Sequence, residues 1–433
     1  MNKISRNQFA ELHNDIAGFN SILLVDSLRQ VNELIALVTI PWWIASSGSS
    51  SDLALLGIVI AIVTFIIVPL VAPIGDKSCK KMQITRSLVV QILIGAGFVA
   101  LTMQHKFNLT FIIALTCVGV AARSFIDPAC AMILPELVTP KRLPAAIQIR
   151  KTWLSMSGIV GPFIAGVAIS RWGIEGAMCV SLCLYICALF FAQKIPKMNN
   201  INYRKNGFRQ WWHGLHTGIA SKWLVPMERG WTIVNFVIWI FQGPAVGMLI
   251  PLKVHALGLA GDWVGISIGA LSTGVLVGSL IGSQRLVDLF GRYFVRVGFG
   301  VFEALALTVA GLSDSPYVMA MALVVAGFCN TSLALVGATH RSLAIPQAFR
   351  VRMLAATTMT TQIAGALGPT IVALLLVHWS VKVVYASFGV LMGVSVLGFL
   401  FVPRLKEFLS HNHDEIVDWY SRQYPEVFKS EPF

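Results

Sequence analysis

Charge is scarce in this chain. Asp, Glu, Lys and Arg make up only 12% of its 433 residues, about half the roughly 25% of a soluble domain. Acidic residues are the scarcer sign, 20 against 33 basic ones, which leaves a net charge of +13. No Gly-x-x-x-x-Gly-Lys-Ser/Thr loop occurs, nor any other nucleotide fingerprint, so ATP-driven work is not expected. The seven cysteines are scattered through apolar stretches without paired spacing, which argues against a disulfide scaffold. Cys179, Cys183 and Cys187 form a helical stripe, but no His or carboxylate accompanies them, so packing is expected there rather than a metal. His213 with His216, and His411 with His413, also lack further ligands nearby. With no nucleophile–base pair and no phosphate loop, neither an enzyme nor a bound cofactor is expected.

Hydrophobic residues, by contrast, fill 56% of the chain, and mean hydropathy is +0.74. A spanning helix needs about 20 mostly apolar residues. Twelve such runs are expected, at 20–44, 53–74, 83–103, 109–131, 145–169 and 173–192, then at 230–252, 263–284, 293–312, 316–338, 353–377 and 381–402. The fold class expected is an all-α membrane protein of two pseudo-symmetric six-helix bundles, 20–192 and 230–402. A polar linker at 193–229 joins them, a short terminus at 1–19 precedes them, and an amphipathic tail at 403–433 follows. The first run begins near Ile22 and is too long, and too polar at its start, for a cleaved signal peptide.

An internal echo supports the duplication. Gly161-Pro162 and Gly368-Pro369 lie 207 residues apart, as do Gly75 and Gly282, and Trp172 and Trp379. Gly lets two helices approach closely, and Pro bends a membrane helix from within. Duplicated bundles of this size are mostly secondary transporters with a site between the halves. Orientation follows from Lys and Arg. The loops at 45–52, 104–108, 170–172, 253–262, 313–315 and 378–380, with their flanks, hold only Lys106, Arg171, Lys253 and Lys382. This bias places both termini and the central segment in the cytoplasm and the chain in the cell inner membrane. It also accounts for the positive charge through anionic lipid heads, without nucleic acid.

Between the second and third runs the chain reads Ala72-Pro73-Ile74-Gly75-Asp76-Lys77-Ser78-Cys79-Lys80-Lys81. This resembles the signature loop of the major facilitator superfamily, Gly-x-x-x-Asp-basic-x-Gly-basic-basic, with Ala72 and Cys79 in place of two glycines. Asp76 would sit before a helix N-terminus, where a carboxylate is favoured. A degraded copy follows Gly282: Arg285, Asp288, Gly291 and Arg292. The fifth run carries Gly158-Ile159-Val160-Gly161-Pro162-Phe163-Ile164-Ala165-Gly166, which is similar to the motif of exporters in that superfamily and implies its antiport, efflux-type branch. Phe125-Ile126-Asp127-Pro128-Ala129, Leu134-Pro135-Glu136-Leu137-Val138 and Arg142-Leu143 are similar to the bacterial efflux branch that includes the enterobactin exporter.

Ionisable residues inside membrane helices are costly and need a reason. The first run holds Asp26, Arg29 and Glu33, which share one helix face, with Gln30 and Asn32 beside them; the fourth holds Arg123 and Asp127, four apart. The resemblance implies that the first, fourth, seventh and tenth helices line the cavity, which adds Asn235, Gln242 and Asn330. Two readings stand: an ion-pair network that holds the bundle together, or groups that bind cargo and protons. On the second, Asp26, Glu33 and Asp127 are the proton-coupling candidates, with Glu33 nearest the bilayer middle. Arg29, Gln30, Arg123, Asn235, Gln242 and Asn330 are the substrate-binding candidates. Gly75, Asp76, Lys77, Gly158, Gly161, Pro162, Gly166, Gly368 and Pro369 are the conformational ones, with Gly161 and Pro162 setting how closely the fifth helix meets the second half. Glu303, in the ninth helix, is expected to have a buried structural partner.

The function expected is a proton-coupled exporter of a small polar or anionic molecule, in kind a siderophore, working with an outer-membrane export partner. Multidrug efflux, nutrient import and a non-transporting subunit are the alternatives. The orientation is directly testable. Cysteine placed at Ser49 or Asp314 should react with a membrane-impermeant thiol reagent added to intact cells, above the wild-type background. Cysteine at Asn200 should react only after permeabilisation, and its labelling from outside would overturn the orientation.

Overall fold

The computed structural model describes residues 18–75, 79–104, 107–138, 143–196, 216, 218–279, 283–411 and 413–428. Asp76, Lys77, Lys106, Gly282 and most of the central linker lie outside the described residues. Within them the chain is helical: α1 Phe19–Ser47, α2 Ser50–Gly75, α3 Lys80–Met103, α4 Leu109–Met132, the single turn α5 Leu134–Leu137, and α6 Leu143–Gln193. The series continues with α7 Pro226–Val246, α8 Leu249–Ala256, α9 Asp262–Val277, α10 Ser283–Leu312, α11 Pro316–Ala344, α12 Gln347–Leu376 and α13 Val381–Leu397. Three short helices close the chain: α14 Leu405–Ser410, α15 His413–Ile416 and α16 Trp419–Gln423.

Twelve membrane spans can be traced among the described residues. Eight helices are long and apolar enough to cross a bilayer by length and composition alone, and α9 and the Ser51–Ile67 part of α2 are shorter apolar helices. One of the eight, Thr152–Gln193, is two spans. A loop was expected at 170–172, yet the chain stays helical and turns at Gly173, whose φ of 67° only glycine adopts readily. The first span, α1, is not among the eight and carries Asp26, Arg29 and Glu33 inside it. The expected loop at 253–262 is also shorter: α8 runs on to Ala256 and buries Lys253.

Local signals place the helix ends. Ser49 and Asp52 cap α2 reciprocally: the Ser49 amide donates to Asp52 Oδ2 at 2.8 Å, and the Asp52 amide to Ser49 Oγ at 3.2 Å. Asn108 caps α4 by accepting from the Phe111 amide at 3.2 Å. Pro226 and Pro316 open α7 and α11, where a missing N–H costs nothing. At the far end of α6, Lys81 donates to the Gln193 carbonyl at 2.9 Å and also to that of Ile195, a cation on a helix C-terminus.

The chain forms two compact units. The first comprises Met1–Gly207 with Ala260–Ile266, and the second Phe208–Leu259 with Ser267–Phe433. In the first, α1 packs on α6, α2 on α4, α3 on α4, and α3 on α6. In the second, α7 packs on α12, α10 on α11, and α10 on α13. Its α9 meets α11 where Gly274 lies against the Val324 carbonyl. Read by span number, these are the same four pairings twice. The core of the first unit gathers Phe19, Ile22, Ile84, Leu88, Ile126 and Ile133 around buried Cys130.

The repeated Gly-Pro pairs do the same packing job in each unit. A Cβ on Gly161 would lie 2.7 Å from Leu34 Cβ and 3.0 Å from the Val31 carbonyl, both on α1. A Cβ on Gly368 would lie 2.5 Å from the Ile240 carbonyl and 2.6 Å from Pro244 Cγ, both on α7. Gly161 therefore sets the approach of the fifth span to the first, which corrects the expectation that it meets the second half of the chain. Residues from that half touch this motif at Pro162 and Gly166, inside the first unit: a Cβ on Gly265 would lie 3.1 Å from the Pro162 carbonyl and one on Gly166 2.7 Å from Gly265 Cα. Gly158 faces open space. Gly161→Leu and Gly368→Leu should each destabilise the detergent-solubilised protein, by about 1–3 kcal/mol as overpacking usually does. Gly158→Ala should not destabilise it. Thermal unfolding followed by size exclusion decides, and equal midpoints for all three variants would contradict the packing role.

Candidate functional site

The first unit concentrates its charge on three spans. Helical spacing puts Asp26, Arg29 and Glu33 on one face of α1 and Arg123 and Asp127 on one face of α4. Arg29 is the hub. Its Nη2 donates to Asp26 Oδ1 at 3.0 Å, and its Nη1 lies 2.5 Å from Asp127 Oδ1 and 3.3 Å from Glu33 Oε2. Arg123 Nη1 holds the other oxygen of Glu33 at 2.6 Å. Arg150, from the fifth span in α6, holds the other oxygen of Asp26 at 2.6 Å. Three carboxylates thus meet three guanidinium groups. A paired charge is tolerable in low dielectric where a single one is not.

This arrangement sorts the candidates. Arg29 is 5% exposed and faces three carboxylates, so it is closed to cargo and acts as a tie between α1 and α4. Asp26 is buried between two arginines. Glu33, the proton-coupling candidate nearest the bilayer middle, bridges Arg29 and Arg123. Arg123 has 31% of its side chain exposed and lines a cavity of about 180 Å³ with Glu33, Gln91 and Tyr185. Gln30 is half-buried and lines neither this cavity nor the next. Asn32 is structural: its Nδ2 donates to the Ser181 carbonyl at 2.7 Å, and it accepts from the Ser181 hydroxyl, which ties the first span to the sixth.

The second unit holds a larger cavity of about 360 Å³, where Asn235, Gln242 and Asn330 meet Arg296, Glu303 and Arg341. Gln242 and Asn330 both donate to Glu303 Oε1, at 2.5 and 3.0 Å. Asn235 accepts from Arg296 Nη2 at 2.7 Å. The Arg296 guanidinium lies against both Trp231 and Phe399, 4.7 Å from each ring centre, while the two rings pack edge-to-face on one another. The expected partner of Glu303 is therefore a pair of amides on α7 and α11 and not a cation. Arg296 drew no attention in the sequence because it reads as one more basic residue near a helix end.

A third cluster borders this cavity. Arg341 grips Glu228 in a two-pronged pair, Nε to Oε1 and Nη2 to Oε2, both at 2.7 Å. Lys222 donates to Glu228 Oε2 at 3.1 Å, and the Tyr420 hydroxyl to Oε1 at 2.6 Å. Burial pushes the Lys222 ammonium down to about 8, although Glu228 beside it works the other way. Tyr420 belongs to an aromatic cluster with Phe408, Trp419 and Phe428, so α14 and α16 are seated on the second unit. The sequence suggested an amphipathic tail there, but not that a buried carboxylate anchors it.

Solved structures share this fold. The nucleoside transporter NupG superposes with a TM-score of 0.67 at 11% identity, over 89% of this chain and 98% of its own. A bacterial homologue of the human lysosomal transporter Spinster, in an inward-facing, unoccupied conformation, gives 0.64 at 13% identity, over 96% and 98%. A bacterial homologue of the iron transporter ferroportin, inward-facing, gives 0.65 at 14% identity, over 91% and 98%. At such identities the likeness is one of fold. No curated protein sequence matches the chain significantly. The family model described as Major Facilitator Superfamily matches residues 23–284 and again 231–417. Both halves of the sequence carry the match, and the four helix pairings recur in both units, so this chain is a membrane transporter that belongs to the Major Facilitator Superfamily.

Proposed function

We propose that this transporter exports a small, polar, partly anionic metabolite, in kind a siderophore, across the inner membrane at the expense of an inward proton gradient. The observation that carries the reading is Arg123. It is a guanidinium inside a spanning helix, partly exposed, at the wall of a cavity, with a carboxylate on one prong. A planar fork of donors in low dielectric is a strong site for a carboxylate oxygen. Arg296 gives the second unit a guanidinium at its own cavity. The similarity of residues 120–170 to the efflux branch that includes the enterobactin exporter supports the direction and the cargo class. Citrate-type siderophores, rich in carboxylates, suit a cavity wall that offers a guanidinium best.

Proton coupling in the first unit would work through Asp26, Glu33 and Asp127, which balance the three arginines. A proton on any of them leaves the cluster with one excess positive charge in a medium that tolerates none. Glu33 is favoured because it alone joins both α1 and α4 guanidinium groups and lines the cavity. A second reading, multidrug efflux, draws on the larger cavity, whose lining includes Trp231, Phe236 and Trp239 together with the carboxyl group of Glu303. Aromatic walls around an acid suit lipophilic cations.

Deleting the gene should lower siderophore in the medium under iron limitation, and Arg123→Gln should reproduce the loss. The expected drop is at least about tenfold, since one charge-assisted contact is worth about 1.5–3 kcal/mol. Unchanged secretion together with new sensitivity to lipophilic cations would move the assignment to multidrug efflux. Glu33→Gln should fold and insert, because Arg29 keeps Asp26 and Asp127. It should nevertheless fail to concentrate cargo in everted vesicles under an imposed pH gradient. Full accumulation by that variant would transfer the coupling role to Asp26 or Asp127.

A further inference from the structure

Two buried polar atoms in the larger cavity have no hydrogen-bond partner among the described residues: Glu303 Oε2 and Arg296 Nε. Both residues line the same cavity. Glu303 is 1% exposed and Arg296 6%. The rest of each group is well served. Glu303 Oε1 takes two amide N–H groups, while Arg296 donates through Nη1 to the Leu333 carbonyl at 3.2 Å and through Nη2 to Asn235. Among the described residues no cation pairs with Glu303 and no carboxylate with Arg296, in contrast to the matched charges of the first unit. Buried polar groups in native proteins are nearly always satisfied, and one that is not calls for a missing ligand or a special role.

The two unmet needs are opposite in kind. A carboxylate oxygen wants a donor, and a guanidinium N–H wants an acceptor. They lie seven residues apart on α10, two helical turns, so their Cα atoms are about 10 Å apart along the axis. The walls between them are mixed: Asn235, Gln242 and Asn330 are polar, Trp231 and Phe399 aromatic, and Thr357 and Thr360 bring hydroxyls. The cavity, about 360 Å³, falls in the size range of small-molecule sites, about 300–1,000 Å³.

We propose that this cavity binds the amine end of a small zwitterionic molecule at Glu303 Oε2 and its carboxylate end at Arg296 Nε, and that a proton takes the place of the ammonium on the same Glu303 oxygen when the molecule leaves. The proposal rests on the reading of the chain as a small-molecule transporter and narrows the cargo to one that carries both a basic nitrogen and an acid. The other ionisable groups that bear on Glu303 are Arg296 on its own helix and Cys329 on α11; Arg341, also on α11, lines the same cavity. From α7 and α12 the facing groups are the neutral amide of Gln242 and threonine hydroxyls. A proton and an ammonium on one oxygen exclude each other, which is the requirement for exchanging one for the other across the membrane.

The test uses the full-length chain in detergent and ligand-observed NMR with ω-amino acids from 4-aminobutyrate to 8-aminooctanoate, plus hexylamine and hexanoate as single-ended probes. One chain length should bind best, at least about tenfold tighter than either single-ended probe, the factor worth about 1.4 kcal/mol. Glu303→Gln should weaken the amino acid and hexylamine about tenfold and leave hexanoate unchanged; Arg296→Gln should weaken the amino acid and hexanoate and leave hexylamine unchanged. Lowering the pH should weaken hexylamine binding in the wild type and not in Glu303→Gln. If Glu303→Gln fails to fold, Glu303→Asp serves instead, and its shorter side chain should move the optimum to a longer amino acid. Absence of saturable binding across the series, or variants that affect both ends alike, would overturn the proposal. Binding is read here without transport. Failure would therefore leave the export reading standing, and success would not depend on the export direction.

Discussion

A charge buried in a membrane bundle must find its opposite, and much of this structure is arranged around that constraint. A lone Arg or Asp at the centre of a spanning helix costs about 2.5–3.5 kcal/mol on insertion scales. The first unit places six such charges on three spans and cancels them through Arg29, Arg123 and Arg150 against Asp26, Glu33 and Asp127. The consequence is mechanical as well as electrostatic. The first, fourth and fifth spans are clamped where Arg29 and Asp26 sit, and removing one partner of a buried pair costs about 3–5 kcal/mol because the other is stranded. Close packing of Gly161 on α1 reinforces the same junction further along it.

The second unit repeats the helix pairings but not the charges. Moving 207 residues from Arg29 arrives at Phe236, from Arg123 at Asn330 and from Arg150 at Thr357, so all three guanidinium positions become neutral. The burden shifts elsewhere. Glu228 gathers Arg341, Lys222 and Tyr420 into a cluster that pins the tail helices, and Arg296 is held by two aromatic rings. That leaves Glu303 with amides on one oxygen and nothing on the other. Duplication thus preserved the backbone packing, which small residues and Pro dictate, while the polar interior diverged into one self-neutralised unit and one with opposite needs left open.

Much of this was legible in the sequence, because hydrophobic run length and helical spacing are local. The twelve spans follow from apolar runs, and the shared face of Asp26, Arg29 and Glu33 follows from spacings of three and four. The Gly-Pro echo pointed to two tight junctions but not to α1 as the neighbour of Gly161, since spacing along one helix does not say which neighbour it meets. What stayed hidden depends on contacts far apart in the chain. Arg150 lies near the start of its span and reads as another basic residue beside a loop, yet it closes the circuit on Asp26, 124 positions away. Glu228 and Tyr420 are 192 positions apart. Arg296 and Glu303 lie on the ninth span, which the resemblance placed outside the cavity, so neither entered the list of binding residues.

The sign of linkage separates the two cavities. At Arg123 an anionic cargo and Glu33 compete for one guanidinium, so cargo that displaces Glu33 favours its protonation. Proton and anion then bind together, and a carrier with that site alone would move them the same way. On the zwitterion proposal, a cargo ammonium and a proton would compete for one oxygen at Glu303, so each would exclude the other, as exchange requires. By linkage, whichever coupling is larger sets the direction of net transport under a given proton gradient. Export against an inward proton gradient therefore requires the exclusive site to dominate. Glu33 remains the coupling candidate of the first unit, and on the zwitterion proposal the open oxygen of Glu303 supplies the exclusive site that exchange requires of the second.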